Sequence, residues 1–259
     1  MRIDIRIRIA VSRSKLMSCR ELKYKIIIFD IGKTLIDKSV SNKVSDQLLN
    51  DIKQLRKKGI KVGVCTMRTV KHCKEIIPVD LDFYICLNGS YIWCDNKLIY
   101  EKQVEFENGN MDYLSYGSEL TFYSSESAKT MAIANGFLID NIGVAKPAYN
   151  VVLFNVEQTQ LQQYDEFHYE YWPSTKTIVL QNKESSKANG IRQVLNYYNL
   201  TQPILYFGDG PNDLDIFKTY YDCVCMGDCY PGLEKYALFK TDTCANQGVS
   251  FGLRKLCIL

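Results

Sequence analysis

Histidine is scarce in this 259-residue chain: only His72 and His168 occur. No Cys-x-x-Cys pair occurs either, although ten cysteines do. The "CVCMGDC" cluster at 223–229 therefore lacks the second half of a zinc ligand set. The cysteines read instead as small buried apolar residues of strands and loops. So many unpaired thiols, without a secretory signal, fit a reducing cytosol and a cytoplasmic location. No run of 18 apolar residues exists, so no membrane-spanning helix and no membrane partner are expected. No internal repeat or low-complexity tract is evident.

Charge of one sign is also lacking over most of the chain. The net charge is only +3. Residues 1–23 hold seven Lys/Arg and two Asp/Glu, which leaves the rest slightly negative. A nucleic-acid partner is not expected, because such binders concentrate basic residues on one face. Residues 1–23 alternate Ile3, Ile5, Ile7 and Ile9 with polar residues, as an added edge strand would. An upstream-start artefact or a basic, acid-poor transit peptide gives the same composition. The favoured reading is an N-terminal extension without function.

What is present is a strand–helix alternation from Tyr24 onward. "KYKIIIFD", "IKVGVCT" and "DFYICLNG" read as buried strands. Residues 41–59 place Val44, Leu48, Ile52 and Leu55 on one helical stripe, with Gly59 as the stop. "TVKHCKEIIP" reads as a short helix ended by Pro78. After Gly89 the texture changes. Residues 90–104 read as a hairpin turning at Asp95-Asn96. Residues 108–180 mix short helices with strands and are rich in Tyr and Phe. Near Ser185 the first texture returns: helix "SSKANGIRQVLNYYN", strand "PILYFGD", helix "NDLDIFKTY", strand "DCVCM", helix "PGLEKYA", strand "LFKT" and a last helix. The predicted architecture is α/β: a Rossmann-like parallel sheet with helices on both faces, interrupted by an α+β insert. The boundaries expected are 24–88 and 185–259 for the core and 89–184 for the insert.

In such sheets ligands bind beyond the carboxyl ends of the strands. Those ends deliver Asp30, Thr66, Asn88 and Asp209. A carboxylate at Asp30 can attack phosphorus, splitting one displacement into two easier ones; a cap or turn residue is the alternative. Thr34 offers a hydroxyl to cap the loop or orient the aspartate. In "YFGDGPNDLDIF", Gly208 and Gly210 let backbone approach a ligand. Asp209 and Asp213 put two carboxylates at one strand-to-helix turn, a set suited to Mg²⁺; a helix cap would look similar. Three clustered acids would repel one another without a cation. Thr66 can donate to a phosphoryl oxygen, and Lys187 can supply positive charge to the same oxygens. Arg68 is a candidate substrate contact or a surface salt bridge.

"DIGKTL", "CTMR", "SKANG" and "GDGPND", in this order, resemble the four motifs of the haloacid dehalogenase-like hydrolases. "LNGS", the insert and the tail "VCMGDCYPGLEKYALFKTDTCANQGV" are similar to the Cof-type subgroup, whose cap is a C2 α+β module. The resemblance covers residues 24–259. It implies Asp30 as nucleophile and metal ligand, with the main-chain carbonyl of Gly32 also facing the metal. It implies Asp209 as a direct Mg²⁺ ligand and Asp213 as a ligand through water or a supporting group. Thr66 and Lys187 would hold the phosphate of a small phosphorylated metabolite. Asn212 would contact phosphate or position Lys187, and Thr34, Arg68 and Asn88 would contact substrate.

Phosphatases of that family usually read D-x-D-G-T-L. Here Gly32 stands in place of the second aspartate, and Lys33 in place of the glycine. The missing carboxylate normally protonates the leaving oxygen and later activates water, help worth ~10²–10⁴-fold. Three outcomes are open: a slow enzyme or one limited to good leaving groups such as acyl or aryl phosphates; substitution by Lys33, Asp37 or a residue of the cap; or a noncatalytic phosphometabolite-binding protein. Other phosphoryl chemistry, such as phosphotransfer or mutase activity, is a further alternative.

A cap over the strand ends would exclude water and select the leaving group, with hinges near 88–90 and 183–186. Its aromatics, Tyr113, Phe122, Tyr123, Tyr169 and Trp172, read mainly as core, with stacking on a sugar or base as the alternative. His168 reads as a surface residue rather than a cap acid.

Overall fold

The computed structural model describes residues 23–107, 111–201, 203–220 and 222–259. The N-terminal extension, apart from Lys23, lies outside the described residues. The central strand is β1 (Ile26–Phe29), flanked by β2 (Lys61–Cys65) and β12 (Ile204–Gly208), both parallel to it. β3 (Phe83–Cys86) continues the parallel sheet on one side. β13 (Cys223–Cys225) and β14 (Phe239–Lys240) continue it on the other.

The strands are apolar without interruption because both faces are covered. Ile27 and Phe29 point to one side, where α1 (Asp46–Lys57) contributes Leu48, Ile52 and Leu55, and α6 (Gly248–Lys255) contributes Val249 and Leu253. Ile26 and Ile28 point to the other, against Ile191, Val194 and Leu195 of α4 (Lys187–Tyr197) and Ile216 and Phe217 of α5 (Leu214–Thr219). This is the period of two along a strand. Each such fully buried side chain is worth about 1.5–3 kcal/mol.

Three elements differ from the sequence reading. The hairpin β4 (Tyr91–Cys94) and β5 (Lys97–Glu101) turns at Asp95-Asn96, but it pairs antiparallel with β3 and belongs to the first sheet, not the insert's. Cys94 and Ile92 bury against the same face as Phe83 and Ile85, which a local pattern does not reveal. The segment 231–237 forms only a 3₁₀ turn, Leu233–Tyr236, between left-handed Gly232 and extended Ala237. Likewise a 3₁₀ turn, Pro211–Asp213, precedes α5, which is shorter than expected.

The insert carries a second, six-stranded sheet. Its order is β10 (His168–Trp172), β11 (Thr177–Gln181), β9 (Asn150–Leu153), β6 (Tyr113–Tyr116), β7 (Thr121–Tyr123) and β8 (Asn141–Ile142). Helix α3 (Glu126–Ala134) buries Ala128 and Ala132 in the cluster that holds Leu114 and Val152. The insert's aromatics serve this packing. Tyr113 is in its core, and the Trp172 ring stacks on Phe137 at 5.5 Å.

Candidate active site

The register of β1 fixes the site. Phe29 lies opposite both Phe207 and Val64, so the residues that follow emerge at one rim of the sheet. Asp30 donates its amide to the Phe207 carbonyl. Thr66 donates its amide to the Ile85 carbonyl, and Asn88 donates to the Thr66 carbonyl. Helix α4 brings Lys187 to the same rim. Ser186 caps that helix, accepting from the Asn189 amide, a contact worth about 1 kcal/mol. The approach depends on Gly89, which has φ of +93°. A Cβ there would lie 2.1 Å from the Ser186 carbonyl oxygen.

Lys187 is 1% exposed and Asp30 8%. The Lys187 ammonium donates to Asp30 Oδ1 at 2.8 Å and to Asp213 Oδ1 at 2.6 Å. Asp213 is held from every side. Its Oδ1 also accepts from the Tyr206 hydroxyl, and its Oδ2 accepts from the amides of Asp209 and Gly210. The space left by Gly208 is filled by this carboxylate rather than by a ligand: a Cβ at Gly208 would lie 2.5 Å from Asp213 Oδ2. Thr34 donates to Asp209 Oδ1 at 3.1 Å, so the turn after β1 is tied to the turn after β12.

Asp30, Asp209 and Asp213 offer carboxylate oxygens that all lie within 4.8 Å of one another. Burial pushes the Asp209 carboxyl up to about 8, reinforced by the charges of Asp30 and Asp213. Burial likewise raises Asp30, with Lys187 opposing it. Burial works against the Lys187 ammonium, but Asp213 and Asp30 override it and hold its pKa well above the usual value. With all three carboxyls ionised, one ammonium would leave a negative balance, which a cation would offset. The donor set is all oxygen, with no His or Cys among the three. It fits a hard divalent cation, which Asp30 and Asp209 would hold directly, while Asp213, its four acceptor sites occupied, would support them.

The remaining candidates divide. Asn212 donates to Asn88 Oδ1 at 3.4 Å, joining two strand ends. Thr66 is buried, its hydroxyl accepting from the Arg68 amide. Arg68 makes no ion pair among the described residues, and its charge acts on Tyr116 of the insert and on Lys38. Gly32 has open space: a Cβ built there meets nothing within 4 Å. Of the substitutes considered for the missing acid, Lys33 is exposed and sits 3.9 Å from Asp228. Asp37 is half-buried and accepts from the amide and hydroxyl of Ser39 in its own turn.

A residue not singled out in the sequence also reaches this rim. Glu170 of β10 accepts from Asn88 Nδ2 at 3.2 Å. Its other oxygen, Oε2, is buried with no hydrogen-bond partner among the described residues. It lines a cavity of about 270 Å³ with His168, Lys187, Asn212 and Asp215. His168 is half-buried there rather than on the surface. The available signal was an acid centred in the aromatic strand "HYEYW", on the opposite face from Tyr169 and Tyr171.

The sequence model of the haloacid dehalogenase-like hydrolases matches residues 27–115 and 144–253. Among known proteins, "Putative phosphatase YkrA" of Bacillus subtilis is 24% identical over 257 residues, covering 91% of this chain and 98% of that one. Among solved structures, BT1666 of Bacteroides thetaiotaomicron, described among phosphatases of the haloalkanoate superfamily, superposes with a TM-score of 0.80. It is 20% identical, over 93% of this chain and 98% of that one. The subclass IIB sugar phosphatase BT4131 superposes with a TM-score of 0.76 at 18% identity, over 91% and 100% of the two chains. Both likenesses are of fold.

Proposed function

We propose, from the premise that this chain belongs to the haloacid dehalogenase-like hydrolase family, that it is a Mg²⁺-dependent phosphatase acting on a small phosphorylated metabolite in the cytoplasm. The observation that carries the reading is the convergence of Asp30, Asp209 and Asp213, from the first and fourth motifs, around Lys187. Asp30 would attack phosphorus and form an aspartyl-phosphate. Lys187 and Thr66 would hold the transferred oxygens, and Asp213 would fix the ammonium through its saturated carboxylate. Mg²⁺, when bound, supplies positive charge against the phosphate oxygens. We place the core at 24–88 and 185–259 and the cap at 89–184, with the 90–104 hairpin extending the core sheet from within the inserted sequence.

Gly32 weakens leaving-group protonation, so slow turnover or a preference for good leaving groups is part of this reading. The same residue favours a second one, a noncatalytic phosphometabolite binder. The experiment is hydrolysis of p-nitrophenyl phosphate with Mg²⁺, comparing wild type with Asp30→Asn. Turnover abolished by the substitution is expected. Turnover that survives it overturns the aspartyl-phosphate route. No turnover across a phosphometabolite panel, with Mg²⁺-dependent ligand binding retained, favours the binder.

A further inference from the structure

We propose that Glu170, carried into the site by the insert, is the proton donor and acceptor that Gly32 fails to provide. The inference rests on the phosphatase reading and adds a residue to it. Three observations support it. Position 32 carries no side chain and leaves open space. Of the neighbours in sequence, Lys33 is exposed and sits by Asp228, and Asp37 is half-buried and engaged with Ser39 in its own turn. Glu170 alone of the alternatives combines a bond to a strand-end residue, Asn88, with a shared cavity wall with Lys187.

The two oxygens of Glu170 are unlike. Oε1 accepts from Asn88 Nδ2, so it serves as the carbonyl oxygen, and a proton resides on the unpartnered Oε2. The surroundings favour that protonated form. Burial pushes the carboxyl up to about 8, and Asp215, Asp213 and Asp30 add to the rise. Lys187 opposes it, and Lys218 and His168 line the same cavity. A neutral carboxyl at pH 7 is what a general acid requires.

The step balances. As an Asp30 oxygen bonds to phosphorus, the bond from phosphorus to the ester oxygen breaks, and the Oε2 proton passes to that oxygen. The product alcohol leaves, and Glu170 is a carboxylate. That carboxylate then takes a proton from the water that attacks the aspartyl-phosphate. Inorganic phosphate and the Asp30 carboxylate are released, and Glu170 is again protonated.

The test uses the full chain with Mg²⁺ and two substrates: p-nitrophenyl phosphate, whose leaving group needs little protonation, and an alkyl phosphate, whose leaving group needs much. Glu170→Gln is expected to lower kcat on the alkyl phosphate by ~10²–10⁴-fold, with a smaller loss on the aryl ester. The wild-type rate on the alkyl ester should fall above pH about 8, and that limb should vanish in the variant. Adding Gly32→Asp to Glu170→Gln should restore the alkyl activity, which a merely structural role would not allow. Carboxyl-carbon NMR should assign a resonance titrating near pH 8 to Glu170, and this readout needs no turnover. Equal losses on both esters with an unchanged pH profile, or a Glu170 carboxyl that titrates near pH 4, overturn the inference. Activity that depends on Asp30 but not on Glu170 overturns the inference and leaves the phosphatase reading standing.

Discussion

Lys33 adopts φ of +51°, a left-handed conformation that costs an L-residue about 1–2 kcal/mol. The family pattern has glycine there, and this chain has its glycine one position earlier. The turn is therefore kept in shape by Thr34, whose hydroxyl bonds Asp209, and by the Leu35 and Ile36 amides, which both bond the Ile31 carbonyl. The turn keeps these bonds although position 32 carries no acid. From this follows a residue-scale prediction. Because a Cβ at position 32 meets no atom within 4 Å, Gly32→Asp should be accommodated with little change in melting temperature. On the Glu170→Gln background it should raise kcat on alkyl phosphates by ~10²-fold or more, within the range of acid–base help, and by much less in the wild type. Steady-state kinetics beside the wild type checks this.

Among the elements, α1 and α6 share one buried carboxylate in addition to their apolar packing. Asp51 is enclosed and accepts from Gln47, Ser250 and two nitrogens of Arg254. Burial pushes Asp51 up, but the hydrogen bonds from Arg254 and Ser250 outweigh it and hold the carboxyl below the usual 3.8. A depressed folded pKa contributes stability above the unfolded value and loses it as pH falls through the folded value. Arg254→Met leaves the carboxylate buried without its cation. Arg254 is itself partly exposed, so about 2–4 kcal/mol is expected rather than the full cost of stranding a buried charge. Urea denaturation at pH 7 should show that loss. The gap between variant and wild type should shrink as pH falls below 3.8, where the wild-type contact is itself lost.

For the whole molecule, the two sheets meet through a shared apolar cluster, in which Tyr91 packs on Tyr149 at 5.0 Å, and through polar contacts around the strand ends. Ser90 bonds Asn150, Tyr149 bonds Glu101, Lys38 bonds the Gly136 carbonyl and Asn88 bonds Glu170. The acid cluster, Asp30, Asp209 and Asp213, lies close to this junction, and the cation proposed for it gives a test at this scale. Mg²⁺ at 100 times its Kd should stabilise the fold by about 2.7 kcal/mol, read as a rise in melting temperature. EDTA should reverse the rise, and Asp209→Asn should fold but lose most of it. A melting temperature indifferent to Mg²⁺ in the wild type contradicts the cation site.

The sequence by itself determined the strands and the rim. Ile26–Phe29 and Ile204–Gly208 are apolar throughout, so they had to be buried, and the first polar residue after each had to sit at the sheet's edge. Asp30 and Asp209 were legible for that reason, Lys187 from its place at a helix start, and the departure at Gly32 from the resemblance of the first motif. Only the tertiary structure decided the pairing of the 90–104 hairpin, since its alternation suits either sheet and the partner edge is chosen by packing. It also decided the position of Glu170. Period two puts that side chain on one face of β10, but which face meets Asn88 depends on how the insert docks 82 positions away. Local patterning records what a residue must hide from water, whereas a contact between distant segments is fixed by the packing of every element between them.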